Sequence, residues 1–253
     1  MIKFFRHIRK QLLGEGKTGK YLKYAIGEIL LVVLGILIAL QINNWNENNK
    51  NEKEANFQLL KLKDNLNADR TQLKAAIFSD SLYIDNLTYC VRVLSNEIEA
   101  PLEKFLNRFQ TMSTIMNFNQ TRGAFDGLVS SGKIELINNQ TLLDALFSYY
   151  NSNPYRQWDS ALKDYSRNIF MPYILGFDHI PEPNKEGRQV SITQFDVSKF
   201  SVEPKTIDDY KNDLFILNGL RKKIQLLEGQ KHVYSALLDD IESLIDSINN
   251  ELN

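Results

Sequence analysis

The stretch GLVSSGKI, residues 127–134, places Gly127 and the pair Gly132-Lys133 at the spacing of a phosphate-binding loop. Such a loop cradles phosphate oxygens on backbone N–H groups, follows a strand, opens a helix and carries Ser or Thr after the Lys for magnesium. Here Ile134 stands in that place, and no apolar strand precedes it. A second stretch, GEGKTGK at 14–20, contains Gly16-Lys17-Thr18, but the opening glycine of the pattern would fall at Gln11. Both segments read as connectors. Gly132 is expected to supply the left-handed turn that ends a helix, and nucleotide binding is set aside.

Other chemistry is equally thin. His7, His179 and His232 have no mutual spacing that suits a metal, and no metal or cofactor is expected. Cys90, the one cysteine, permits no intrachain disulfide and lies beside the apolar Val91, as a small core side chain would. No pattern of a serine hydrolase, zinc peptidase or calcium loop occurs, so no enzymatic activity is expected. One concentration of side chains stands out: Tyr150, Tyr155, Arg156, Trp158, Tyr165 and Arg167. Aromatic walls with Arg suit a small anionic or amphipathic ligand or a protein partner. The same rings also suit the core of a helical bundle with their hydroxyls at its rim.

The elements that must carry these residues begin with an apolar run. AIGEILLVVLGILIALQI, residues 25–42, has Glu28 and Gln41 as its strongly polar members. Its length suits a hydrocarbon core of roughly 30 Å. Tyr21 and Tyr24 flank one end and Trp45 the other, as bilayer interfaces favour. The run ends ALQINNW, without the small-x-small site of a cleaved signal, and reads as a retained signal-anchor. Lys3, Arg6, Arg9, Lys10, Lys17, Lys20 and Lys23 precede it. The positive-inside rule therefore puts the N-terminus in the cytoplasm and the remainder outside. Within the basic tail, Met1, Phe4, Phe5, Ile8 and Leu12 can form the apolar side of an interfacial helix. Glu28, Gly35 and Ala39 fall on one helical stripe, where small residues permit close helix–helix contact.

After the span the pattern is helical throughout. Leu59, Leu62, Leu66, Leu73 and Ile77 follow helical spacing, and Ile84, Leu87, Val91, Leu94 and Ile98 continue at alternating steps of three and four, with no helix breaker before Pro101. A stripe from Leu217 through Leu220, Ile224, Leu227, Lys231, Tyr234, Leu238, Ile241, Ile245 and Ile248 to Leu252 does the same. Thr206 and Asp209 form a capping box ahead of it. Shorter helices are expected at 101–116, 120–130, 141–150 and 154–175, with Asn138 or Asn139 near the cap of the third. Residues 176–205 hold three Pro and two Gly and read as an irregular loop, with Val190, Ile192, Phe195 and Val197 suited to a short strand.

The expected fold is all-α: a basic tail at 1–23, a transmembrane helix at 24–43, and an outer domain at 44–253. That domain reads as an antiparallel helical bundle built on two long coiled-coil-like helices. YLKYAIGEILLVVLGILIALQINNWNE and FDGLVSSGKIELINNQTLLDALFSYY resemble segments of a family of uncharacterised single-pass membrane proteins from Bacteroidota-type bacteria. The resemblance implies a helical outer domain and supplies no catalytic residue. The expected place is a bacterial inner membrane, with a periplasmic outer domain. The expected partners are the bilayer and a protein or second copy, with room for a small-molecule ligand and no nucleic-acid footprint. The expected role is an interaction or assembly module, or else a sensory module acting through a partner.

Overall fold

A computed structural model of the chain describes residues 18–174 and 205–252. The tail at 1–17, almost all of the loop at 176–205 and its strand residues lie outside the described residues. The chain falls into two units, Met1–Phe57 and Gln58–Asn253.

Helix α1, Thr18–Leu94, begins in the first unit and ends in the second without interruption, through the Asn-rich residues after Trp45. In the first unit it contains one stretch long and apolar enough to cross a membrane. The best 18-residue window has a mean hydropathy of 2.5, and none of it is buried in the chain. Gly35 and Ala39 are exposed there, Glu28 is half-buried, and nothing lies within 4 Å of a Cβ placed on Gly35.

The second unit is helical, with no strand among its described residues. α1 ends at Leu94, seven residues before the expected stop at Pro101. The cause is Asn96, which adopts φ 57°. Glu97 N–H then reaches the Arg92 carbonyl at 2.9 Å and Asn96 N–H that of Val93 at 3.1 Å, the paired bonds of a left-handed helix stop. α2, Leu102–Phe109, follows Pro101 and buries Phe105 and Phe109, whose rings stack at 5.4 Å. A 3-10 turn, Gln110–Met112, closes it. α3, Gly123–Ser130, ends as expected at Gly132, with φ 70°. α4, Gln140–Asn151, is capped by Asn139, whose side chain accepts from Leu142 N–H at 3.0 Å.

The expected helix at 154–175 is not uniform. α5, Arg156–Asp164, passes into a π-helical segment, Tyr165–Phe170, before the short α6, Met171–Ile174. The wider turn brings the adjacent Tyr165 and Ser166 inward together. The Thr206–Asp209 capping box opens α7, Ile207–Lys211, with both of its reciprocal bonds present. α8 runs Leu214–Leu252, and Asp213 accepts from Ile216 N–H at 3.3 Å at its start.

Two apolar clusters form the core. One joins Leu59, Leu62, Leu66, Leu73 and Ala76 of α1 to Tyr234, Leu237, Ile241, Leu244 and Ile248 of α8, with α4 alongside. The other joins Leu87, Cys90 and Leu94 to Ile216, Leu220 and Leu227, with α2 and Tyr210. The buried stripe of α8 differs by one residue in places from the expected one. Lys223, Leu226, Gln230, Leu237 and Leu244 are buried, whereas Leu217, Ile224, Lys231, Leu238 and Leu252 are half-buried. The apolar face is wide enough to hold both stripes. Lys223 and Gln230 can occupy the inner one because they find polar partners there.

Candidate functional site

The core also holds polar residues, within and between the two clusters. On α1, buried residues recur at steps of three and four from Leu59 to Asp80, and two of those places hold Asp69 and Asp80. On α8 the matching inner stripe holds Lys223, Gln230 and Tyr234. All five are fully buried. Burying such groups is costly unless they are bonded, and four of the five find partners.

Half of those partners, Thr114, Phe118 and Thr121, belong to one non-helical stretch, residues 113–122. Its backbone has no helix of its own to bond with, so side chains supply what is missing. Lys223 Nζ donates to the Thr114 carbonyl at 3.0 Å and to Ser166 Oγ at 3.1 Å. Phe118 N–H donates to Tyr234 Oη at 2.9 Å. Thr121 N–H donates to Asp69 Oδ1 at 2.8 Å, while Tyr149 Oη donates to Asp69 Oδ2 at 2.8 Å. Asn65 Nδ2 reaches the Thr121 carbonyl at 3.3 Å and Gln120 Nε2 that of Tyr149 at 2.9 Å. Arg122 donates to the Tyr150 carbonyl and to Gln120 Oε1, and pairs with Asp126 at 3.2 Å.

Asp159 on α5 joins this network. Tyr234 Oη donates to its Oδ1 at 2.7 Å, and Gln230 Nε2 donates to the same oxygen at 2.6 Å. Burial raises the Asp159 carboxyl, and the Tyr234, Gln230 and Phe118 donors pull it back. Asp80 has no such help: among the described residues neither carboxylate oxygen has a hydrogen-bond partner, and Gln230 Oε1 is likewise unpartnered. Burial, and next the nearby Asp159 charge, push Asp80 up to about 7, against the pull of Lys223 and Lys231. Burial drives Lys223 the other way, down to about 8, partly offset by Asp80. Cys90 is inert by comparison: its thiol is buried and pushed up to about 12.

A cavity of about 340 Å³ opens beside this network, lined by Asn117, Asn119, Gln120, Tyr155, Arg156 and Asp159, with Phe118 and Arg122 also on its wall. Of the expected ligand region, Tyr155 and Arg156 stand here. The others are dispersed. Tyr150 is core, stacked on Phe125 at 4.3 Å. Trp158 lies against Gly229 of α8. Tyr165 is buried in the second cluster and lines an open groove of about 730 Å³ with Ile169, Phe215 and Lys222. Arg167 is exposed on the π segment. Among the described residues, no group of three or more metal-ligating side chains comes together.

Among the described residues, fold and site together define an all-helical architecture with one membrane-length apolar helix and a charged layer through its helical core. The chain belongs to DUF6090, a family of unknown function whose model matches residues 28–169, more than half of its length. The match takes in the apolar helix from Glu28 and every residue of the cavity wall. No curated protein and no solved structure matches the chain.

Proposed function

We propose that the chain is a single-pass protein of a bacterial inner membrane, anchored by residues 24–43, whose periplasmic helical domain binds a small polar ligand and passes the event to a partner protein. The apolar window of α1 and the lysines and arginines that precede it support the topology. The reversed pairing of α1 and α8 residues in the two clusters supports an antiparallel, coiled-coil-like bundle. The observation that carries the ligand reading is the cavity at Asp159. Its wall carboxylate is bonded directly to the core residues Gln230 and Tyr234, so an occupant would touch the group that holds α5 to α8. A reporter fused after Asn253 tests the topology, with activity expected on the periplasmic side alone. Native-membrane purification followed by metabolite identification tests the ligand reading. A co-purifying small molecule displaced by a bulky Asn119→Trp substitution is expected, and its absence argues against the reading.

A second reading, an assembly module, draws on the open groove beside the π segment, where Ile169 and Phe215 are exposed, and on the Glu28, Gly35 and Ala39 stripe. Single-Cys variants at 35 and 39 cross-linking in membranes would favour it.

A further inference from the structure

The chemistry of the cavity wall narrows the occupant. Arg156 and Asp159 are three residues apart on α5, a spacing that ordinarily lets opposite charges pair. They do not pair here. Gln230 and Tyr234 hold Asp159 through Oδ1. The Arg156 guanidinium makes no hydrogen bond or ion pair among the described residues, although it lines the same cavity; only its backbone N–H is bonded, to the Asn153 carbonyl at 3.2 Å. One wall thus presents an uncommitted guanidinium and a fixed carboxylate, separated rather than neutralised. The other cation, Arg122, is already engaged by Gln120, the Tyr150 carbonyl and Asp126.

A simple anion drawn to Arg156 would meet the Asp159 carboxylate, and a simple cation drawn to Asp159 would meet Arg156. A molecule with both charges a few bonds apart satisfies both. Tyr155 and Phe118 are buried and give the wall aromatic surface, while Asn117, Asn119 and Gln120 offer amides that donate or accept. The volume, about 340 Å³, is at the small end for ligand sites.

We infer that this cavity takes a small zwitterion of the α-amino-acid class, its carboxylate on Arg156 and its ammonium on Asp159. The inference rests on the ligand-binding reading above and names the ligand chemistry for that cavity. Because Asp159 is fixed by α8 residues, its geometry is set before the ligand arrives, which limits the ordering cost of binding.

The test is calorimetric titration of the full-length protein in detergent with the proteinogenic L-amino acids, their N-acetyl forms and their methyl esters. At least one free amino acid is expected to bind, and blocking either charge is expected to weaken it at least tenfold, as loss of a charge-assisted hydrogen bond implies. Arg156→Gln alters an exposed side chain and leaves the fold intact; it is expected to abolish discrimination against the methyl ester while keeping it against the N-acetyl form. Asp159→Asn is expected to do the reverse. Equal binding of N-acetyl and free forms, or binding of dicarboxylates alone, overturns the zwitterion inference and keeps a ligand site. No binding by any probe, with a different metabolite retained from membranes in an Asn119→Trp-sensitive way, also overturns the inference and spares the reading. No binding and no retained metabolite overturns both.

Discussion

Gly229 gives Trp158 its place: a Cβ added to Gly229 would lie 2.1 Å from Cζ3 of the Trp158 ring. An exposed mid-helix Gly→Ala change ordinarily stabilises by about 1 kcal/mol. Here the sign reverses, because an indole cannot yield as a flexible chain end can. Gly229→Ala is expected to destabilise by roughly 1–3 kcal/mol, as overpacking does. Denaturant unfolding followed by circular dichroism measures it. Combining it with Trp158→Leu should recover part of the loss.

The buried carboxyl of Asp80 makes stability depend on pH. Its folded value is raised from 3.8 to about 7, so between those limits the folded chain holds a proton that the unfolded chain has released. This contribution is fully present below pH 3.8 and is lost as pH rises toward 7, at up to about 1.4 kcal/mol per pH unit. Asp69 and Asp159 act in the same direction, while Asp213, which accepts from Lys205 Nζ at 2.8 Å, is lowered and opposes them. Asp80→Asn is expected to flatten the decline. Unfolding curves from pH 4 to 8 provide the comparison, and an unchanged slope would refute the assignment.

Lys223 has the opposite window. Its folded value is lowered from 10.5 to about 8, so stability rises with pH across that interval. Lys223→Met removes the donor to the Thr114 carbonyl and the positive charge near Asp80, and is expected to cost about 1–3 kcal/mol at pH 8. The double variant with Asp80→Leu should lose less than the two single losses added together. A double-mutant cycle at pH 8 measures that coupling.

Tyr234→Phe removes the hydroxyl that accepts from Phe118 N–H and takes from Asp159 one of its donors. A loss of about 1–3 kcal/mol is expected for groups stranded in this way. Amide exchange at Phe118 should accelerate more than at Leu62, which lies in the apolar cluster at a distance in sequence.

Asn96 is expected to accept Gly with a small gain in stability and to resist Val. Its φ of 57° disfavours a side chain branched at Cβ, at about 1–2 kcal/mol. Thermal unfolding of both variants separates the two outcomes.

The helices were legible because their apolar residues recur at three and four, and the caps at Asn139 and Thr206 and the stop at Gly132 carry residue types suited to those geometries. The end of α1 was not, because Asn96 enters the left-handed region less often than Gly does and no breaker stands beside it. The polar layer had a signal that apolar counting passes over. Continuing the steps from Leu59 lands on Asp69 and Asp80, and the inner stripe of α8 lands on Lys223 and Gln230. Periodicity marks these places as inward, whereas side-chain type argues the reverse. What decides is the backbone of residues 113–122, whose need for partners no local pattern reveals. Of the six residues of the expected aromatic and Arg region, Tyr155 and Arg156 line the cavity. Asp159 was missed because its partners lie 71 and 75 residues away.

Leucines repeated at equal intervals act like a ruler without numerals: two such helices fit at several staggers, one heptad apart, with little to choose between them. Asp80, Lys223 and Gln230 number the ruler. Sliding α8 by seven residues along α1 would keep leucine against leucine yet carry Lys223 away from the Thr114 carbonyl and Gln230 away from Asp159. Each stranded polar group then adds to the cost of the wrong stagger. The charged layer thereby trades some stability for a single alignment of the two long helices.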